Sequence, residues 1–83
     1  MRIEITKSAK KDLSALEQND RERILRTIFR FREQPENADI KKLKGKPVRW
    51  RLRAGDFRII LEMNPSEDIV YVLRIGHRKE VYR

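Results

Sequence analysis

The residues best suited to chemistry are arginines at short spacing between positions 51 and 58. Arg51 and Arg53 are two positions apart in an alternating segment, so both side chains point to one face of a predicted strand. Arg58 follows a short turn, and its place in the returning strand puts it on that face as well. Guanidinium groups form bidentate hydrogen bonds with phosphate oxygens, so three converging arginines favour an anion site. The alternative is that they pair with surface carboxylates such as Asp56 and Glu62.

Side chains that could transfer a proton occur near the carboxyl end. His77, the only histidine, follows Gly76 after the last predicted strand, and imidazole exchanges protons most readily near neutral pH. Tyr82 is the other candidate acid or base, although a phenol needs nearby cations to lose its proton at that pH. Arg78 could approach the same site. Histidines and carboxylates do not occur at the spacings typical of metal ligands, so we expect neither a metal nor another cofactor.

Positive charge is concentrated in the second half of the chain. The net charge is +8, of which residues 1–40 contribute +1 and residues 41–83 contribute +7. Such an asymmetry favours a polyanionic partner, because neutralised phosphates release counterions and drive binding. Contact with a nucleic acid is therefore one interpretation of the basic residues outside the arginine cluster, and a solvated surface is the other. These residues are Lys41, Lys42, Lys44, Lys46, Arg49 and Arg74.

Length and composition restrict the class of protein. A chain of 83 residues is expected to form a single domain, residues 1–83. Without cysteine there is no disulfide and no thiolate site. No apolar run approaches the roughly 20 residues of a membrane span, and no signal-peptide pattern opens the chain, so we expect a cytoplasmic protein with no membrane partner.

Periodicity predicts a strand and two helices in the first half. Residues 1–5 alternate apolar and polar side chains, which indicates a strand with one buried face. From about Lys7 the apolar residues follow the spacing of an amphipathic helix, which Thr6 or Ser8 could cap. Asn19 and Glu22 have the spacing of a capping box and would open a second helix that ends before Pro35. We expect the two helices to form an antiparallel hairpin.

The second half predicts a loop over residues 35–46, followed by three antiparallel strands. The strands are expected from Val48, over residues 57–63 and over residues 69–75, with Tyr71 on the buried face of the last one. The predicted fold class is therefore α+β: a four-strand sheet with the helical hairpin on one face. Its open face would carry four arginines, namely Arg51, Arg53, Arg58 and Arg74.

Four segments together resemble RelE-type toxins of the RelE/ParE superfamily, and the resemblance extends over nearly the whole chain. They are Ile-Thr-Lys-Ser-Ala-Lys-Lys-Asp-Leu at 5–13, Lys-Leu-Lys-Gly at 42–45, Trp-Arg-Leu-Arg-Ala-Gly-Asp-Phe-Arg at 50–58, and Ile-Gly-His-Arg at 75–78 with Glu-Val-Tyr at 80–82. The resemblance implies a twisted antiparallel sheet packed against a helical hairpin. It also implies the toxin component of a type II toxin–antitoxin system.

Toxins that act as RelE does cleave mRNA in the ribosomal A site without a metal. The resemblance implies the same reaction here, with catalytic residues Arg51, Arg53, Arg58, His77, Arg78 and Tyr82. Arg58 and Arg78 match the phosphate-stabilising arginines of the family, and Tyr82 matches its tyrosine near the carboxyl end. Arg51 and Arg53 stand where well-known members carry lysine. Because arginine stays protonated, proton transfer would fall on His77 or Tyr82.

The same resemblance leaves other functions open. One alternative is a ParE-like inhibitor of DNA gyrase, and another is an inactive subunit that only binds an antitoxin and represses its own operon. The partners implied are an acidic, amphipathic RelB-like antitoxin, the ribosome with its mRNA, and operator DNA through the antitoxin complex. The simultaneous presence of His77 and Tyr82 favours the ribonuclease.

Overall fold

The computed structural model of the chain describes residues 1–77. Its strands and helices follow one another along the chain with short connections. In order they are β1 (Arg2–Ile5), α1 (Lys7–Ser14), α2 (Gln18–Glu33), a 3₁₀ turn (Pro35–Asn37), β2 (Ile40–Lys42), β3 (Trp50–Ala54), β4 (Phe57–Asn64) and β5 (Ile69–His77). Both helices lie on one face of the sheet, and within residues 1–77 no helix covers the other face, which we call the open face. The predicted α+β class is confirmed.

Residues 1–77 form a sheet of five strands in the order β1-β5-β4-β3-β2, where four were predicted. The extra strand, β2, lies inside the segment predicted as a loop and pairs antiparallel with β3, with Ile40 opposite Leu52. The expectation of an antiparallel sheet was also wrong at one edge, because β1 runs parallel to β5. The two helices return the chain to the end of the sheet at which β1 finishes, so β2 runs antiparallel to β1. The three antiparallel pairings that follow then leave β5 parallel to β1.

The two helices begin differently, α1 with a side-chain cap and α2 without one. Thr6, one of the two predicted caps, caps α1, and its hydroxyl oxygen accepts a hydrogen bond from the backbone N–H of Ala9. The predicted capping box does not open α2, which already begins at Gln18 and has no side-chain cap. The helical side of the core consists of Ala9, Leu13, Ile24, Ile28 and Phe31. No helix within residues 1–77 is long and apolar enough to cross a bilayer.

A bulge in β5 reverses the alternation predicted for that strand. Leu61 pairs with Val72 and Ile60 with Arg74, so Leu73 is an additional residue between them. Before the bulge, Val70 and Val72 therefore face the helices, and after it Ile75 does so. The prediction that Tyr71 belongs to the core was wrong. Tyr71 lies opposite Glu62 on the open face and is half-buried there.

Candidate functional site

The open face of the sheet has a basic end and a mixed end, which carries charges of both signs on Arg2, Glu4, Arg49 and Glu62. Strand register places Arg53 opposite Arg58, and Arg51 opposite Ile60, which in turn pairs with Arg74. Lys41 of β2 lies beside Arg51. We call Lys41, Arg51, Arg53, Arg58 and Arg74 the basic end. All four arginines predicted for the open face are on it, because residues paired across antiparallel strands share a face.

Arg53 and Arg58 form the centre of the basic end. The carbonyl oxygen of Gly55 accepts a hydrogen bond from Arg53 Nε at 3.3 Å and from Arg58 Nη1 at 3.4 Å. Within residues 1–77, neither guanidinium forms an ion pair with a carboxylate. Like charges directly opposite each other destabilise a strand pair, and an anion that bridges them removes this cost. A single phosphate can contact both groups, since both reach the same carbonyl oxygen.

A third guanidinium reaches the same turn from α2. Gly55 adopts a φ of +60°, and a Cβ atom placed on it would lie 2.7 Å from Arg23 Nη1. Arg23 therefore packs directly on the backbone of the turn that joins β3 to β4. It was not among the predicted site residues. Arg23 and Gly55 are far apart in the sequence, and no local pattern of residues in α2 indicates that Arg23 approaches the turn.

The remaining predicted arginines of the basic end are already engaged by carboxylates. Arg51 donates to Asp39 at 3.3 Å, and its side chain is only 13% exposed. Arg74 Nε lies 3.0 Å from Asp12 Oδ2, and this hydrogen bond, followed by the attraction of the two charges, raises the pKa of Arg74. The same Asp12 oxygen accepts the backbone N–H of Ile75 at 2.9 Å. Arg51 and Arg74 are thus held by carboxylates, while Arg53 and Arg58 have no carboxylate partner in the described part of the chain.

The other residues predicted to bind a polyanion surround this area. Lys41 and Lys42 form part of β2, whereas Lys44 and Lys46 belong to the following loop, and all four are exposed. Arg49 lies further along the open face and pairs with Glu62 at 3.1 Å. The lysines therefore extend positive charge along the β2 side of the basic end.

His77 reaches the same end of the sheet but lies on its other face. It pairs with Phe57, a core residue that faces the helices, and the two rings pack edge to face with centroids 4.4 Å apart. Arg58 pairs instead with Gly76, which has no side chain to cover it. The structure therefore brings Arg53 and Arg58 together and does not bring His77 to them. Arg78 and Tyr82 lie outside the described residues.

Residues 1–77 hold no group of three or more histidine, cysteine, aspartate or glutamate side chains arranged to bind a metal ion. The fixed guanidinium groups of the basic end are suited to binding an anion and stabilising its charge.

The sequence matches a known protein family over nearly its whole length. The family model for the ParE toxin of the type II toxin–antitoxin system parDE matches residues 3–82. A curated relative, toxin RelE3 of Methanocaldococcus jannaschii, is 33% identical over 99% of this chain and 96% of its own length.

Two solved structures give the same result. The archaeal RelE-RelB complex from Pyrococcus horikoshii contains a chain with a TM-score of 0.77 and 27% identity, covering 96% of this chain and 97% of that one. The RelB-RelE antitoxin-toxin complex from Methanococcus jannaschii contains one with a TM-score of 0.76 and 32% identity, covering 95% and 94%. The similarity therefore extends over both the helical hairpin and the sheet with its basic end.

Proposed function

The chain belongs to the RelE/ParE superfamily, the toxins of type II toxin–antitoxin systems, and on that premise we propose that it cleaves messenger RNA on the ribosome. The observation that supports this activity best is the pair Arg53 and Arg58, two guanidinium groups on one carbonyl oxygen at an open sheet face. Such a pair is suited to a phosphate that gains negative charge during a reaction.

The proposed reaction is a transesterification that needs no metal. The ribose 2′-hydroxyl oxygen attacks the adjacent phosphorus, and the bond from phosphorus to the 5′ oxygen breaks. A base takes the proton of the 2′-hydroxyl, and an acid gives a proton to the departing 5′ oxygen. The products are a 2′,3′-cyclic phosphate and a 5′-hydroxyl. Arg53 and Arg58 would stabilise the charge that accumulates on the non-bridging phosphate oxygens.

Proton transfer in this proposal falls mainly on Tyr82. His77 packs against Phe57 on the helical side of the sheet, so it does not share a face with Arg58. Tyr82 and Arg78 enter the proposal through the family resemblance, Tyr82 as acid or base and Arg78 as a further cation. Arg51 would position the site through Asp39 rather than contact the reacting phosphate.

The proposal includes partners that suit the charge of the chain. An antitoxin with an acidic, amphipathic RelB-like segment would neutralise the basic end, and the two solved relatives described above are toxin–antitoxin complexes. Operator DNA would be reached only through that complex. The contacts to mRNA or ribosomal RNA would come from basic residues beside the basic end, namely Lys41, Lys42, Lys44, Lys46 and Arg49. A protein that acts on the ribosome in this way would act in the cytoplasm.

Inhibition of DNA gyrase is the second candidate. The matching family model is that of the ParE toxin, and the position of His77 removes one of the two groups that favoured RNA cleavage. A gyrase inhibitor would need the fold and a binding surface but no proton-transfer group. An inactive subunit that only binds antitoxin and represses its operon would need neither activity.

Primer extension on ribosomes programmed with a defined mRNA tests the proposal. We expect new stops over the A-site codon with the purified protein, in the presence of a chelator as well as in its absence. Arg58→Ala and Arg78→Ala should remove these stops, whereas Arg2→Ala, at the mixed end of the open face, should retain them. A supercoiling assay with DNA gyrase is run in parallel with the same proteins.

Each outcome supports one candidate. Stops that depend on Arg58 and persist under chelation support the ribonuclease. Intact mRNA with inhibited supercoiling supports the gyrase inhibitor, and neither effect, from a protein that still binds its antitoxin, supports the inactive subunit. Cleavage that survives Arg58→Ala would overturn the assignment of the site.

A further inference from the structure

A cleft with a volume of about 250 Å³ opens next to the basic end, between the C-terminal half of α2, the 3₁₀ turn and β3. It exists because β2 covers only part of β3. The last backbone bond from that side runs from the N–H of Arg53 to the carbonyl oxygen of Asp39. Beyond it, Ala54 and Gly55 border the cleft, with α2 as the opposite wall.

The accessible surface of the cleft is mostly polar. Phe31 and Leu52 line it but are only 4% and 1% exposed, so they present little apolar surface to a ligand. Arg30 and Arg53 also line it, and among residues 1–77 neither forms an ion pair. A few converging polar groups in a concave site fix the orientation of a small ligand.

Two side-chain amides supply directional hydrogen bonding at the rim. The Nδ2 group of Asn37 donates to Oε1 of Gln34 at 3.1 Å, and both residues line the cleft. This hydrogen bond orients the two side chains. It leaves the side-chain NH₂ group of Gln34 and the side-chain oxygen Oδ1 of Asn37 without a hydrogen-bond partner within the described residues. A donor and an acceptor side by side are complementary to the edge of a nucleobase.

Arg53 and Gly55 connect the cleft to the candidate site. Both line the cleft, and both also take part in the hydrogen bonding that holds Arg53 and Arg58 together. An RNA chain with one phosphate between Arg53 and Arg58 would therefore have its neighbouring nucleotide at the mouth of the cleft.

We propose that this cleft binds one nucleotide of the RNA substrate, with its base on the amides of Gln34 and Asn37 and its phosphate between Arg30 and Arg53. Pockets that hold drug-sized ligands measure roughly 300–1,000 Å³, so this smaller cleft is suited to a single base rather than to several. The inference rests on the proposed ribonuclease function, and it makes Gln34 and Asn37 residues that determine which bases flank the cleaved bond.

Titration of the isotopically labelled full-length protein with the four 5′-nucleoside monophosphates tests the cleft without any cleavage. We expect at least one of them to shift the side-chain amide signals of Gln34 and Asn37, together with the Nε signal of Arg53. Inorganic phosphate, as the matched probe, should shift the Arg53 and Arg58 signals and leave both amides unchanged. Nucleotide shifts confined to the open face, or no shift at the amides, would overturn the inference.

Substitutions separate the cleft from the catalytic pair. Gln34 and Asn37 are exposed, so Gln34→Ala and Asn37→Ala should fold normally and weaken nucleotide binding roughly tenfold, the size expected for one lost base contact. Gln18→Ala, an exposed glutamine at the other end of α2, is the control and should bind as the unmodified protein does. Unchanged nucleotide affinity in both cleft variants would also overturn the inference.

The cleavage assay distinguishes this inference from the function on which it rests. If mRNA is cut, the cleft variants should change the ratio of cleavage between codons, mainly through KM, while the rate at saturating substrate stays within a few-fold. Cleavage with an unchanged codon ratio would support the ribonuclease function and contradict nucleotide binding in the cleft. Nucleotide binding at the amides without any cleavage would support binding in the cleft and contradict the ribonuclease function.

Discussion

Arg53 and Arg58 lie directly opposite each other on neighbouring strands and share the carbonyl oxygen of Gly55 as their hydrogen-bond acceptor. Two like charges in this register are unfavourable in the free protein. They are held there by the short turn between β3 and β4, and the arrangement becomes favourable when an anion binds between them.

Removing one member of the pair should cost activity and leave the fold intact. We expect Arg58→Ala to lower the rate of mRNA cleavage about 10²- to 10³-fold, the effect of losing one group that stabilises transition-state charge. Its unfolding free energy should change by no more than about 0.5 kcal/mol, because the loss of contacts is offset by relief of charge repulsion. Single-turnover cleavage and urea unfolding measure the two quantities, and a rate within a few-fold of the original would contradict the prediction.

Binding of RNA at the basic end should depend strongly on salt. A single-stranded oligonucleotide whose ribose at the cleavage position is 2′-deoxy cannot be cut, so its affinity can be measured by fluorescence anisotropy. The logarithm of the affinity should fall with the logarithm of salt concentration, and Arg58→Ala should make this slope shallower by about 0.7, one phosphate contact. Arg2 lies away from the basic end, so Arg2→Ala should keep the original slope. Equal slopes for all three proteins would argue against a phosphate contact at Arg58.

Replacing Gly55 should destabilise the turn between β3 and β4. Gly55→Ala puts alanine at a φ of +60° and its Cβ atom 2.7 Å from Arg23 Nη1, which must move, so we expect a loss of about 1 kcal/mol in the free energy of unfolding. Gly45→Ala measures the cost of backbone strain without a clash, because Gly45 has a positive φ of +103° and open space around it. Adding Arg23→Ala to Gly55→Ala should recover part of the loss, and no recovery would show that strain in the backbone alone is responsible.

Asp12 should matter more to stability than its partner Arg74. Asp12→Ala removes both the ion pair and the acceptor for the backbone N–H of Ile75, which then has no partner at the sheet edge, so we expect a loss of about 1–2 kcal/mol in unfolding free energy. Arg74→Ala leaves that backbone bond intact and should cost less. Thermal and urea unfolding of the two variants measure the order, and equal losses would mean that the ion pair, not the backbone bond, dominates.

The effect of Arg74→Ala should not vary with pH in the accessible range. Asp12 raises the pKa of Arg74 above its ordinary value in the folded protein. A raised pKa stabilises the folded state at every pH below arginine's ordinary pKa, and the contribution is lost only as the pH rises through the folded value. Unfolding at several pH values between about 6 and 10 should therefore give the same difference between the two proteins, since arginine stays charged throughout. A difference that shrinks toward pH 10 would contradict this.

Much of the fold was predictable because its signals are local. Alternation along β3 and β4 placed Arg53 and Arg58 on the open face of the sheet, and the strand register confirms both placements. Alternation failed in β5, where the bulge at Leu73 changes the phase within one strand. A pattern with a period of two cannot show where one residue is inserted, because the insertion depends on pairing with β4 and on the packing of Ile75.

The amino-acid sequence by itself determined the order of every helix and strand except β2, the face on which each β3 and β4 arginine lies, and the excess of positive charge, since all three depend on neighbours in the chain. Only the tertiary structure decided which arginines have carboxylate partners. Asp12 meets Arg74 across 62 positions and Asp39 meets Arg51 through the unpredicted strand β2. It likewise decided that His77 faces the helices and that Arg23 reaches Gly55, because contacts between distant segments are selected by how the whole core packs.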